Sequence, residues 1–329
     1  MSAPSPEQLL QRLEWTVIRK LDGLLQGDYR SLFRGFGLDL ADLREYQLYD
    51  DVRHIDWNVT ARTQIPHVRV YNEDREVTAW FLLDLSPSVD FGSGTVNKRQ
   101  VLTEFTAVLA RLLTRQGNRV GALLYNGVNE VMVPPRASRR HVLHLLNRIY
   151  SYPRLYKAPQ TDLNAFLARA MSAIPRRSIV FVVSDFISKP GWPKALSLLN
   201  RRHEGIAVRL VDPLEMALPD IGLLVFQDAE TGEQLFVDTN DKGFRRRFAN
   251  TAARGEEELV GAFTDAGMDV LELSTHDDLV DAILRFADMR KTRGRMVGGG
   301  AVPTHLSQIA RRGSAANDDT PARQAGVAP

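Results

Sequence analysis

The sequence predicts an α/β fold, a mostly parallel sheet with helices on both faces, preceded by an extended N-terminal preamble. Three observations carry this. From Val77 onward, short apolar runs rich in β-branched and aromatic residues alternate with helical patterns, as buried parallel strands and their crossover helices do. The runs at 77–83 and 179–183 are apolar apart from Thr78, so both faces of those strands are covered. The chain has 329 residues and no cysteine, long enough to build its core from packing alone.

The elements follow in order. A helix is expected over 6–26, with Ser5, Pro6 and Gln8 supplying an N-cap, a first-turn proline and the far half of a capping box. Leu13, Val17, Leu21, Leu24 and Leu25 form its apolar stripe. Glu7, Glu14 and Asp22 interrupt any basic face suited to a membrane, so the stripe is expected to pack on the main domain, and Gly27 ends the helix. Residues 28–76 mix both charges with Tyr29, Phe33, Phe36, Tyr46, Tyr49, Trp57 and Tyr71. They read as a preamble packed on the next domain and tied by ion pairs, with an alternating strand at 67–71.

The main domain spans 77–290. Its strands are expected at 77–83, 119–125, 130–133, 178–184, 206–211 and 269–273. Its helices are expected at 97–115, 138–149, 162–172, 193–202, 241–266 and 277–289. Strands 223–227 and 234–237 form a hairpin turning at Glu230, Thr231 and Gly232. Residues 291–329, with three glycines at 298–300 and no apolar period, are expected to be a flexible basic tail.

Composition excludes several functions. Without cysteine there is no disulfide scaffold, thiolate zinc site, cysteine nucleophile or iron–sulfur cluster. The tail holds six Lys/Arg against two Asp/Glu, leaving 36 against 38 in the first 290 residues, so the body is not a dedicated nucleic-acid binder. Runs of basic residues at 136–141 and at Arg245, Arg246 and Arg247 read as solvated helix faces. No apolar run approaches the ~18 residues of a membrane span, and the first residues lack a secretory pattern, so a cytoplasmic protein is expected. No P-loop and no nucleophile elbow is present. His141 and His144 are three apart on a helix but lack a third nitrogen ligand.

One constellation carries chemistry. Asp84, Ser86 and Ser88 follow the first buried strand, and Asp185 follows another. Thr161 opens a helix after a loop returning from the sheet edge. In a parallel sheet the loops at the carboxyl ends of the strands hold the ligand site, so these three loops converge. Two carboxylates and three hydroxyls are all oxygen donors, which suits a hard cation, Mg²⁺ or Mn²⁺, rather than zinc or copper. Each residue also has a plain structural use: the serines or Thr161 could cap helices, and Asp185 could make a turn.

The Asp-x-Ser-x-Ser pattern with a later Thr and Asp resembles the metal-ion-dependent adhesion site of von Willebrand factor A-type domains. The preamble narrows the likeness. Leu43-Arg44-Glu45-Tyr46, Asp50-Asp51-Val52-Arg53-His54-Ile55-Asp56-Trp57, Thr60-Ala61-Arg62 and Glu73-Asp74-Arg75-Glu76 resemble the bacterial "domain of unknown function 58" family, over roughly residues 35–240. The resemblance implies a von Willebrand A-like (Rossmann-like) fold and a MoxR-type AAA+ ATPase as partner. The chain departs from its relatives at Ala158, Pro159 and Gln160, where glycines are usual, and at Val89, where methionine is. Many relatives also carry N-terminal membrane spans, and this chain looks like the shorter form.

Two functions follow as expectations. The first is a non-catalytic, metal-dependent adaptor that binds the ATPase or a client with an acidic motif, with Arg44, Arg53, Asp56, Trp57 and Arg62 as a further partner surface; Asp51 belongs to the same charged motif. The second is a Mg²⁺-dependent phosphoryl-transfer hydrolase with Asp84 as nucleophile, although Ser86 stands where such a phosphatase keeps its acid.

Overall fold

The computed structural model describes residues 5–21, 40–47, 52, 55–71, 78–155, 158–227 and 233–295. Helix α1 (Pro6–Leu13) runs on through a π-helical turn at Glu14–Ile18. Its expected capping box is present: Ser5 Oγ accepts from Gln8 N at 3.3 Å and Gln8 Oε1 from Ser5 N at 3.0 Å. Leu9, Leu10, Leu13, Ile18 and Leu21 are buried, whereas Trp15 is exposed beneath the Arg19 guanidinium. Leu24, Leu25 and the expected end of the helix lie outside the described residues.

The preamble contains β1 (Leu40–Glu45), α2 (Trp57–Thr63) and β2 (His67–Tyr71), with β1 and β2 paired antiparallel. Only β2 is expected from the sequence. β1 reads LADLRE, whose composition favours helix, and it is a strand through its pairing. α2 buries no residue and so offers no apolar period.

The main domain follows the expected alternation: β3 (Thr78–Asp84), α3 (Lys98–Arg115), β4 (Arg119–Tyr125), β5 (Glu130–Arg136), α4 (Arg139–Tyr150), α5 (Leu163–Ala173), β6 (Ile179–Ser184), α6 (Trp192–Arg202) and β7 (Glu204–Val211). A short α7 (Pro213–Met216) and the hairpin β8 (Leu223–Gln227) and β9 (Gln234–Asp238) precede α8 (Lys242–Ala266), β10 (Asp269–Ser274) and α9 (Leu279–Arg295). The hairpin's expected turn residues lie outside the described residues. α9 extends past the expected end at Met289 because nothing there breaks the helix before Arg295.

The six main strands run in the order β10-β7-β6-β3-β4-β5, parallel except for β5, which pairs antiparallel with β4. Alternate side chains feed two cores. Ala79, Phe81 and Leu83 of β3 and Ile179, Phe181 and Val183 of β6 face α1, α3, α4 and α9. Trp80 and Leu82, with Val180 and Val182, face α5, α6 and α8. The α/β class is therefore as expected, and α1 packs on α3 and α4 as its stripe requires.

His203, at the C-cap of α6, is buried, and neither ring nitrogen has a hydrogen-bond partner among the described residues. Burial first, then the charges of Arg202 and Arg177, hold its pKa below the usual value.

Two tests follow. Leu10→Ala empties a fully buried position and is expected to cost about 2–5 kcal/mol in urea unfolding. His203→Leu is expected to melt no lower than the native chain at pH 7 and to gain over it as pH falls to 5. The unfolded imidazole takes up its proton before the folded one does, so native stability is lost as pH drops below the unfolded pKa of 6.5. Thermal melts of both chains across that range check it.

Candidate functional site

Asp84 is the last residue of β3, and Asp185 follows the last residue of β6, the neighbouring parallel strand. Adjacent strands thus end in carboxylates on one edge of the sheet, and both residues are buried. Asp84 Oδ1 accepts from Ser86 N at 3.0 Å, and its Oδ2 accepts from Ser184 Oγ at 2.6 Å. Burial, then the negative charge of Asp185, pushes the Asp84 pKa up to about 6 against those hydrogen bonds.

The structural alternatives for the hydroxyls are resolved by geometry. Ser86 is the N-cap residue of a 3₁₀ turn at Pro87–Asp90 but makes no side-chain cap bond; its Oγ lies 3.1 Å from Ser88 Oγ. Asp162, not Thr161, caps α5, accepting from Ala165 N at 2.9 Å. The Thr161 side chain is buried, and its carbonyl accepts from Ser188 Oγ at 2.9 Å and Lys189 N at 3.0 Å. These bonds fasten the Thr161 loop to the loop that carries Asp185. Asp185 does make the expected turn, its Oδ1 accepting from Ile187 N at 3.1 Å. Phe186 between them has φ 60°, a left-handed conformation costly for a bulky side chain, and is pinned by rings of Trp192 and Phe263 at centroid distances of 5.3 and 4.9 Å.

Three neighbours escape the sequence reading. Ser184 is one. Lys98 is another: fully buried, its Nζ donates to Asp185 Oδ2 at 2.8 Å and to Glu215 Oε1 at 2.6 Å, and these two carboxylates hold its pKa above the usual value although burial opposes them. Glu215 of α7 is the third. A signal for Lys98 exists in the sequence, since a lysine in the first turn of a helix opposes the macrodipole and needs an acidic partner. Lys98 is brought there by a tight turn at Gly92, where a Cβ would stand 2.5 Å from Asn97 Cα. Asp212 braces the same edge, accepting from Ser93 N at 2.8 Å, Thr275 Oγ1 at 2.8 Å and Leu214 N at 3.0 Å. Burial alone would raise its pKa, and these donors hold it below the usual range.

Of the preamble residues, Asp56 caps α2, accepting from Asn58 N at 3.0 Å and Val59 N at 3.2 Å. Trp57 is 70% exposed and Arg62 is exposed in the last turn. Arg44 lies in β1, while Asp51 and Arg53 fall outside the described residues. His141 Nε2 donates to Val120 O at 2.8 Å, a packing role. Among the described residues no group of three or more His, Asp or Glu converges as a metal cluster, and no helix is long and apolar enough to cross a membrane.

The raised pKa of Asp84 sets a test. Its folded state binds a proton more tightly than the unfolded, so the ionised carboxylate costs roughly 3 kcal/mol at neutral pH, a cost that fades as pH falls from 7 toward 4. With chelator present, Asp84→Asn is expected to melt above the native chain at pH 7.5 and to lose that advantage by pH 4.

Uncharacterised proteins of Mycobacterium tuberculosis and Mycobacterium bovis are each 36% identical over 295 residues, covering 90% of this chain and 92% of theirs. Similar solved structures include the conserved hypothetical protein BatB of Bacteroides thetaiotaomicron, with TM-score 0.42 and 14% identity, covering 66% of this chain and 99% of that one. The SpRpn10 VWA domain gives TM-score 0.37 and 11% identity, covering 64% and 94%. The family model "Protein of unknown function DUF58" matches residues 42–258, most of the preamble and the sheet through α8, and the chain belongs to that family.

Proposed function

We propose that this chain is a non-catalytic, metal-dependent protein-binding adaptor. In this reading Asp84, Ser86, Ser88, Thr161 and Asp185 hold Mg²⁺ or Mn²⁺, and an acidic side chain of a partner completes the shell. The observation that carries it is Asp84: a fully buried carboxylate whose described partners are neutral donors, beside a second carboxylate. Such a group lacks a cation. The donor set fits a hard divalent ion, since it is oxygen only and mostly neutral. When bound, the ion would supply an electron-poor position for a hard anionic oxygen. The chain's own residues do the rest: Ser184 and the Ser86 N–H orient Asp84, and the Ser188 and Lys189 contacts hold the Thr161 loop in place.

The surroundings favour a protein as the ligand. Val96, Val128 and Ile187, on the loops at this edge, are exposed, and the β8–β9 hairpin, which also leaves from the carboxyl end of β7, exposes Leu223, Val225, Leu235 and Phe236. Exposed apolar side chains gathered around the site mark an interaction surface. The family resemblance implies a MoxR-type AAA+ ATPase as that partner, with an acidic-motif client as the other candidate. Trp57 and Arg62 supply a further exposed contact surface on the preamble.

The hydrolase reading has less support. Ser86 stands where a second acid is needed, and its hydroxyl lies against Ser88. Turnover of a generic phosphate ester with Mg²⁺ present, lost in Asp84→Asn, would favour it.

The adaptor reading predicts that Mg²⁺ or Mn²⁺ raises the melting temperature, by an amount equivalent to ~2.7 kcal/mol at a hundredfold excess over Kd. Asp84→Ala is expected to fold and to show no such shift. An equal shift in both chains would place the metal elsewhere. Thr161→Ala is expected to weaken capture of the partner in the presence of Mg²⁺ and to make no difference with chelator.

A further inference from the structure

Lys98 places a permanent cation inside the carboxylate cluster. Its side chain is wholly shielded from solvent and bridges Asp185 Oδ2 and Glu215 Oε1 at 2.8 and 2.6 Å. Helix stability does not explain it, because the first turn of a helix disfavours a positive charge. Nor does stability of the fold require an ion pair here, since apolar replacements of buried pairs are often as stable.

The charge is shared unevenly. Asp185 has one oxygen on the ammonium and the other on the Ile187 N–H at 3.1 Å. Asp84 is met by neutral donors, the N–H and hydroxyl of Ser86 and the hydroxyl of Ser184. The two carboxylates of the proposed metal shell, Asp84 and Asp185, set against the Lys98 ammonium leave one negative charge, one short of balancing a divalent ion.

Resting on the metal reading above, we infer that Lys98 determines what the metal can bind: by neutralising Asp185 it leaves Asp84 as the one uncompensated carboxylate, so the ion keeps a local positive charge for an anionic ligand. The class of ligand is a carboxylate, as an aspartate or glutamate side chain presents it. Glu215 moderates the effect from the other side of the ammonium, drawing part of its charge toward α7.

Removing the ammonium therefore has two opposite consequences. The cluster becomes more negative, which strengthens its hold on the metal. The metal becomes better neutralised, which weakens its hold on an incoming anion. A purely structural lysine would move both affinities in the same direction.

The test uses the full chain, with Mn²⁺ as the metal probe by titration calorimetry and acetate as the carboxylate probe by water-proton relaxation of the bound Mn²⁺. Lys98→Met is expected to bind Mn²⁺ roughly tenfold tighter and acetate roughly tenfold weaker, as one unit charge within a few ångströms implies. Glu215→Gln is expected to do the reverse, and its partly exposed position keeps it foldable, so it decides the matter if Lys98→Met does not fold. Both affinities falling together, or neither moving, in the folded variants would overturn this inference and leave the metal reading intact. Failure of the native chain to bind Mn²⁺ would overturn both.

Discussion

Two carboxylates stand at the ends of adjacent buried strands, and the construction of that edge of the sheet answers to their charge. Removing an ion from water costs several kcal/mol even after relaxation. β3 and β6 are paired in register, so Asp84 and Asp185 cannot move apart without breaking the centre of the sheet. Compensation has to be brought to them. Ser184 and the Ser86 N–H serve Asp84, and Lys98 serves Asp185. The tight turn at Gly92 and the Asn97–Gln100 capping box set the start of α3 where Lys98 can reach. The positive end of that helix adds to the compensation.

The loops are held to this task by bonds that cross the edge rather than by their own conformational preference. Asp212 ties the β3–α3 loop, the start of α7 and the loop after β10 through three donors. Phe186 accepts a left-handed backbone because its ring is caught between Trp192 and Phe263. Its strain directs Asp185 back over the strand ends while its ring remains in the core. The shape of this edge and the packing of α6 and α8 are thus one problem, solved by the side chains of the second core.

The main domain was legible in the sequence because buried parallel strands are apolar on both faces and their helices carry caps and stripes. The capping box at Ser5 and the hydroxyl–carboxylate pattern at Asp84, Ser86 and Ser88 are local signals of the same kind. What the sequence hid depends on pairing over distance. β1 is a strand only because β2 lies beside it. Ser184 looks like a strand residue until its hydroxyl is seen to donate to Asp84, a hundred positions away. Lys98 and Glu215 are separated by 117 positions, and neither suggests the other without the fold. Asp162 rather than Thr161 as the cap of α5 was equally open, since both residue types serve.

The opposite edge of the same sheet shows that an uncompensated carboxylate is no necessity of this architecture. There Arg290 of α9 reaches Glu204 at 2.6 Å and Asp269 at 3.0 Å, closing the starts of β7 and β10 with a shared guanidinium. Burial raises the Glu204 pKa, as it does at Asp84, but here a cation in direct contact opposes it. At the carboxyl edge an ammonium is equally close at hand, yet it is spent on Asp185 and Glu215. Both edges bury acids at strand ends and both recruit a basic side chain from a packed helix. Only one leaves a carboxylate with neutral partners, ringed by hydroxyls not used as caps. The difference is one of placement rather than of composition: Asp84 meets neutral donors where Glu204 and Asp269 share a guanidinium.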